Sequence, residues 1–327
     1  MRIIVTGAAG FLGQRLIRAL LGIGGLTDSA GRHHPIDGIT AFDVVPTADF
    51  GDRRVSTLRG DFGNPLDLER LVDYEASSIF HLAAIVSGQA EQNFELGMKV
   101  NFDGTRALLE RVRALGTRAK VVTTSSVAVF GGELPETVDD ARVWSPQSSY
   151  GTQKAMSDLL LADYSRRGYI DGRSLRMPTI VVRSGAANRA ASSFASGIIR
   201  EPVNGMSATC PVAPETMLWL MSPERAIRNL IHGHELPSEL LSQGRVINMP
   251  GLSMSVSGMI ESLRRVAGDA AAQRITFERD PLVERIVNSW PGNFSAHYAR
   301  SLGFTADTDF DSIIRQFLEE NSISQRQ

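Results

Sequence analysis

The residues best placed by type and spacing to move a proton are Tyr150 and Lys154, four apart in Tyr150-Gly151-Thr152-Gln153-Lys154. Positions i and i+4 share one face of a helix, so the phenol and the ammonium project into the same space. A free phenol titrates near 10 and a lysine near 10.4. A cation beside the phenol favours the phenolate, which predicts a lowered pKa and a general base working near neutral pH. A lone Tyr-x-x-x-Lys recurs by chance in many helices. Its weight here comes from position, after Ser126 at the end of the apolar run Val121–Thr124. The Ser126 hydroxyl is suited to holding a substrate oxygen.

A second constellation opens the chain. The run Ile3-Ile4-Val5-Thr6 enters Gly7-Ala8-Ala9-Gly10-Phe11-Leu12-Gly13. The first glycine makes a tight turn, the second lets backbone approach a pyrophosphate, and the third lets helix and strand pack closely. The helix N-terminus then offers free N–H groups and a positive dipole end to phosphates. Asp43 ends the next apolar run, Ile39–Phe42. A carboxylate there accepts both ribose hydroxyls and repels a 2′-phosphate, which predicts NAD over NADP. The interval from Gly13 to Asp43 exceeds the usual ~20 residues. An inserted loop over residues 24–37, with Gly24, Gly25, Gly31, His33, His34 and Pro35, is expected to account for it. Arg53 and Arg54, the nearby cations, are expected to be solvated. Asp61-Phe62 offers a carboxylate and an apolar edge to an adenine, or equally a turn before Asn64-Pro65. In His81-Leu82-Ala83-Ala84, small Ala83 and Ala84 let a sheet edge approach a cofactor, and His81 reads as a packed core histidine.

These groups need a frame. Strand-length apolar runs at Ile3–Thr6, Ile39–Phe42, Val55–Leu58, Ser78–Leu82, Val121–Thr124 and Ser174–Met177 alternate with helical patterns at Phe11–Leu21, Leu66–Tyr74, Ala90–Leu115 and Tyr150–Arg167. Parallel strands need crossover helices, so the order predicts an α/β fold with a doubly wound parallel sheet. Beyond Pro178 the pattern loosens into short elements. The expected division is a dinucleotide-binding domain over 1–177, with 215–250 returning to it, and a smaller substrate-binding region from 178–214 and 251–327. Ser222-Pro223-Glu224 reads as a helix start, and Arg245–Asn248 as a strand.

Of 327 residues, 43% are hydrophobic and 21% charged, with a net charge of −2. That balance argues against nucleic acid or a membrane surface as partner. One cysteine, Cys210, permits no internal disulfide, and nothing adjacent activates it. Phe11–Leu26 is broken by Gln14, Arg15 and Arg18, which argues against a membrane helix. Residue 3 already starts a strand, leaving no room for a signal peptide. The expectation is a soluble cytoplasmic protein. His232-Gly233-His234 lacks supporting Cys or carboxylate residues, so no metal is expected.

The ordered set Thr6-Gly7-x-x-Gly10-x-x-Gly13, His81-Leu82-Ala83-Ala84, Asn101-x-x-Gly104-Thr105, Ser125-Ser126-x-x-x-x-Gly131 and Tyr150-x-x-x-Lys154 resembles the extended short-chain dehydrogenase/reductase family, which includes nucleotide-sugar epimerases and dehydratases. The likeness spans residues 1–185. It implies that Ser126 orients a substrate hydroxyl, Tyr150 takes its proton, and Lys154 holds the nicotinamide ribose. It also implies a proton relay at Asn101 and nicotinamide contacts from Pro178, Thr179 and Ile180. Asp43-Val44-Val45-Pro46, Ile85-Val86-Ser87-Gly88 and Arg176–Gly185 further resemble a branch that oxidises a four-carbon sugar acid at C2 with NAD. A small anionic substrate is then expected among Ser87, Ser126, Tyr150, Arg183, Asn188 and Arg189, because arginine suits a carboxylate best. The family also pairs helices such as 90–115 and 149–167 across a homodimer. Two features depart from nucleotide-sugar enzymes: Phe130 stands where they often have Tyr, and Thr216–Ser222 lacks their diphosphate-binding Arg. An epimerase that retains its NAD and a non-catalytic dinucleotide-binding regulator are the rival readings.

Overall fold

In the computed structural model, which describes residues 1–185 and 189–324, β1 (Arg2–Thr6) runs into α1 (Phe11–Ile23). Ile3, Ile4 and Val5 are buried on both faces of β1, and α1 lays Leu16, Ile17 and Leu20 on the sheet. The helix stops at Gly24, whose positive φ of 77° and N–H to Leu20 O form a left-handed cap. Residues 24–37, expected as a loop, are mostly a hairpin: β2 (Gly25–Thr27) pairs antiparallel with β3 (His33–Pro35). Side chains stabilise it. Asp28 accepts from Arg32 and His34, and Glu235 accepts from the Thr27 N–H and hydroxyl.

β4 (Gly38–Asp43), β5 (Val55–Arg59), α2 (Pro65–Leu71) and β6 (Ala76–His81) follow. The long helix expected over 90–115 is broken. α3 (Ser87–Gln92) ends at Asn93, whose side chain accepts from Leu96 N and starts α4 (Phe94–Gly97). Asn93 offers the backbone a local hydrogen bond that competes with helix continuation. Met98–Gly104 then forms a π-helical segment before α5 (Thr105–Leu115). β7 (Lys120–Ser126) leads to α6 (Ser149–Arg166), capped by the Ser148 hydroxyl accepting from Gly151 N, and to β8 (Asp171–Met177).

Next come β9 (Thr179–Ile180), α7 (Ser193–Val203), β10 (Ala208–Cys210), β11 (Met217–Met221), α8 (Pro223–Glu235) and β12 (Val246–Asn248). The main sheet has seven parallel strands in the order β12-β8-β7-β6-β1-β4-β5. Within 215–250, α8 and β12 return to this sheet. β11 instead joins a three-stranded sheet with β9 and the antiparallel β13 (Leu252–Ser255). The smaller lobe is completed by α9 (Val256–Ala267), α10 (Asp269–Ala272), β14 (Ile275–Phe277), α11 (Pro281–Asn288) and α13 (Phe310–Ser324), whereas α12 (His297–Ser301), expected in the smaller region, packs by Ala299 on β12 and the main-sheet core. One core lies on each face of the main sheet, and a separate one centred on Ile198, Leu263 and Ile314 fills the small lobe. No helix among the described residues is long and apolar enough to cross a membrane.

Candidate functional site

A cavity of about 520 Å³ opens beyond the carboxyl ends of β1, β4, β6 and β7 and extends to the small lobe. Gly7, Gly10, Phe11, Leu12 and Gly13 form its floor. The glycines are required by close approach. A Cβ on Gly7, whose φ is +68°, would lie 2.8 Å from Ala83 N, and one on Gly13 would lie 2.2 Å from Gly7 O. α1 starts at Gly10 with no side-chain cap, so its first N–H groups are left for a ligand. A backbone cradle at an uncapped helix N-terminus fits the pyrophosphate of a dinucleotide.

Asp43 lines the same cavity. Its Oδ2 accepts from Ala9 N at 3.0 Å and its Oδ1 from Val45 N at 3.2 Å, so the carboxylate is fixed beside the glycine turn with lone pairs to spare. Arg53 is exposed and Arg54 is tied to Asp52. We therefore expect kcat/KM with NAD to exceed that with NADP by about fivefold to nearly a thousandfold, the effect of about 1–4 kcal/mol of charge repulsion near 4 Å. Asp43→Asn keeps one acceptor oxygen, loses the charge and should narrow the ratio. Equal use of both cofactors by the wild type would show that Asp43 does not face the ribose.

Asp61 and Phe62 also line the cavity. Both Asp61 oxygens already have partners, Gly63 N at 2.8 Å and Lys99 Nζ at 3.0 Å, and these hold its carboxyl below the usual range. Phe62 packs edge-on against Phe42 and His81, with ring centroids 5.0 and 5.3 Å away. Leu82, Ala83 and Ala84 form the wall beyond β6, and Pro178, Thr179 and Ile180 the opposite wall. His81 is a core residue, hydrogen-bonded to Thr6 and Thr105 and kept neutral by burial, which pushes its pKa down to about 3.

Ser126 and Tyr150 both line the cavity wall, and the Ser126 hydroxyl accepts from Ala128 N at 3.1 Å. One expectation is corrected. On balance the protein's own surroundings raise the phenol's pKa instead of lowering it. Burial raises it to about 12, Arg183 and Ser126 pull it down, and Asp158 pushes it up. Lys154 Nζ lies 5.8 Å from the Tyr150 ring centroid and donates to Thr124 O at 2.8 Å. It stands behind Tyr150, outside the cavity lining, and burial lowers its pKa to about 8 against the opposing charge of Asp158. Desolvation thus outweighs the neighbouring ammonium. Asn101 is also off the cavity wall. Its carboxamide bonds Ile85 N and O and Gln153 Oε1, at 2.7, 3.1 and 2.8 Å, clamping the segment after β6 to α6.

At the small-lobe end, Ser87 and Arg183 line the cavity. The Ser87 hydroxyl accepts from Ala191 N at 3.1 Å. Arg183 donates to Ile180 O and the Ser192 hydroxyl, each at 3.1 Å. Arg189 is exposed and does not line the cavity, and Asn188 lies outside the described residues. Sequence reasoning missed Trp290, which reaches the cavity from the loop after α11, 98 residues from the nearest other lining residue, Ser192. No local motif marks it. His232 bonds Leu302 O, and His234 is buried against Ser78 and Glu235. Cys210 is buried, with its pKa raised by desolvation. No cluster of three or more potential metal ligands occurs among the described residues.

A profile described as the NAD dependent epimerase/dehydratase family matches residues 3–234. The chain is 53% identical to a D-erythronate dehydrogenase of Cupriavidus necator over 99% of its own length and 100% of that protein. It is 45% identical to a D-erythronate dehydrogenase of Haemophilus influenzae, covering 98% and 99% of the two chains. A crystal structure described as a nucleoside-diphosphate-sugar epimerase from Agrobacterium tumefaciens superposes with a TM-score of 0.91 at 43% identity, covering 98% of this chain and 94% of that one.

Proposed function

This chain belongs to the NAD dependent epimerase/dehydratase family, and from that membership we propose that it oxidises the C2 alcohol of D-erythronate to 2-oxo-erythronate with NAD. The observation that carries the reading is the Ser126–Tyr150 pair facing the glycine cradle, with the Arg183 charge acting on the same phenol. In this reading Ser126 orients the C2 hydroxyl, and the Tyr150 oxygen accepts its proton as the C2–H bond breaks. Arg183 lines the same cavity and can meet the adjacent carboxylate, which a guanidinium suits better than any other side chain. Bound NAD supplies the hydride acceptor. Gly7, Gly10 and Gly13 hold its pyrophosphate, Asp43 its adenosine ribose, and Pro178–Ile180 the wall beside the nicotinamide. Lys154 reaches toward the nicotinamide ribose from behind Tyr150, and Asn101 keeps the wall after β6 in register. By the same family likeness, two copies pair through the segments 87–115 and 149–166, where Phe94 and Leu159 lie exposed.

The likeness to a structure called a nucleoside-diphosphate-sugar epimerase makes that activity the second reading. Against it stands β11, where a diphosphate-binding arginine is missing. Trp219 occupies that strand, buried, with its indole donating to Met249 O at 3.1 Å. The deciding assay follows NADH formation with four- to six-carbon aldonic acids, L-threonine and a UDP-hexose. We expect D-erythronate to give the highest kcat/KM and the UDP-hexose to give no epimer. Epimerisation of the UDP-hexose without reduction of added NAD would establish the second reading instead.

A further inference from the structure

Thr6 ends β1, one residue before the glycine turn, and is buried. Its hydroxyl oxygen accepts from Leu82 N and Ala83 N, each at 3.2 Å. Those two residues form the cavity wall beyond β6, and Ala83 N is an atom that a Cβ on Gly7 would strike. Both lone pairs of Thr6 Oγ1 are therefore taken, and only its proton is left for His81 Nδ1, 2.8 Å away. On the other side of the ring, Thr105 Oγ1 lies 3.0 Å from His81 Nε2 and donates to Asn101 O at 2.8 Å. A carbonyl oxygen can only accept, so the Thr105 proton is spent there and Nε2 carries the ring's own. The two sides, read independently, demand the same tautomer: neutral, protonated at Nε2, accepting at Nδ1. Asn101 fixes the far end of the wall, its carboxamide bonding Ile85 N at 2.7 Å and Ile85 O at 3.1 Å. The segment Leu82–Ile85 is thus held by two polar clamps, and the His81 ring joins them.

We propose that His81 is a positioning residue for the dinucleotide. By accepting the Thr6 proton, the ring keeps both lone pairs of that hydroxyl turned to the wall, and so sets the width of the slot between Gly7 and Ala83 that the cofactor enters. The inference rests on the reading above in which the glycine turn holds NAD. Neither His81 nor Thr6 lines the cavity, so their effect on a ligand passes through the backbone of Leu82 and Ala83. With no acceptor at position 81, the buried hydroxyl must leave its proton unpaired or turn it to another oxygen. Turning withdraws a lone pair from Leu82 N or Ala83 N, and either choice is costly in a buried site. The packing of the ring is a separate contribution: it stands edge-on to Phe62, with centroids 5.3 Å apart.

The test compares His81→Leu, His81→Asn, Thr6→Val and Thr105→Val by fluorescence titration of NAD and by denaturant unfolding. An asparagine oxygen can take the place of Nδ1, so His81→Asn still accepts from Thr6, but it no longer reaches Thr105 or packs on Phe62. His81→Leu and Thr6→Val should weaken NAD binding by about tenfold or more. His81→Asn and Thr105→Val should bind NAD close to the wild type, because the Thr6 hydroxyl keeps its acceptor in both. All four should unfold at lower denaturant, since each leaves a gap or a buried polar group unpaired. Affinity thus divides the variants by the state of the Thr6 hydroxyl, and stability does not. NAD affinity that follows stability across the set overturns the inference. So does a His81→Leu protein that binds NAD as the wild type does, or a His81→Asn protein that binds it as weakly as His81→Leu. If the position 81 variants do not fold, Thr6→Val against Thr105→Val makes the same comparison. A wild type that does not bind NAD overturns the reading of the glycine turn itself, and that failure appears before any substitution is made.

Discussion

Tyr150→Phe should lose about 10²–10⁴-fold in kcat for acid oxidation while binding NAD as tightly as the wild type. The substitution removes one oxygen and leaves the ring, so the cavity keeps its shape. What disappears is the hydroxyl on the cavity wall that receives the substrate proton in this reading. The pH dependence follows from the same geometry. Burial pushes the phenol up to about 12, and the protein's own corrections, from Arg183 and Ser126, do not bring it back to its ordinary value. A base whose pKa lies above the working pH is mostly protonated, so its active fraction rises as pH rises. Oxidation by the wild type should therefore accelerate between about pH 7 and pH 9, and the residual rate of Tyr150→Phe should lose that slope. Turnover and its pH profile, measured beside a fluorescence titration of NAD, check both parts. A variant with near wild-type turnover would remove Tyr150 from the mechanism.

The cofactor half of the site was legible because its signals are local. Gly7, Gly10 and Gly13 are read by spacing, and each stands where added bulk would strike backbone. Asp43 and Ser126 were found because they end strands, the positions that face the crevice in an open parallel sheet. The errors arose where an effect depends on surroundings that spacing does not encode. Tyr150 and Lys154 do share a helix face, but burial decides the phenol's titration, and the depth of a residue in its lobe is not visible in a five-residue motif. The break at Asn93 splits α3 from the rest of the expected helix, which runs on as α4, the π-helical segment and α5, a local hydrogen bond overriding apolar periodicity. Residues 24–37 carry the glycines and proline of a loop, yet Asp28 and Glu235 fold most of them into a hairpin through contacts as far as 208 residues apart. Trp290 shows the limit most plainly. Its place at the site depends on how the small lobe closes over the sheet, and nothing in its neighbours Ser289 and Pro291 records that.

Asp158 was likewise invisible to motif reading, and Arg176 was read only as the start of the segment Arg176–Gly185, yet loss of this pair should cost the fold dearly. Both side chains are 2% exposed, and Arg176 Nε donates to Asp158 Oδ2 at 2.9 Å. Asp158 also accepts from Ser125 Oγ at 2.9 Å and Ser174 Oγ at 2.6 Å. It thereby joins α6, which carries Tyr150, to β7, which carries Ser126, and to β8. The guanidinium lies 3.8 Å from the Trp144 ring centroid and donates to Asn248 Oδ1 at 3.3 Å, while its second NH₂ group has no partner among the described residues. Asp158 is thus the one carboxylate bonded directly to Arg176, with the Trp144 and Phe130 rings beside the guanidinium and Asp140 acting from further off. Asp158→Ala should destabilise the protein by about 3–5 kcal/mol, because it leaves that guanidinium buried and uncompensated. The double change Asp158→Leu with Arg176→Met should lie closer to the wild type than Asp158→Ala alone, since no charge is then left without a partner. Denaturant unfolding of the three proteins measures the differences. If Asp158→Ala unfolds within about 1 kcal/mol of the wild type, the surface-pair range, then water or another group compensates Arg176. If the double variant is the least stable of the three, the hydrogen bonds to Ser125 and Ser174 outweigh the orphaned charge.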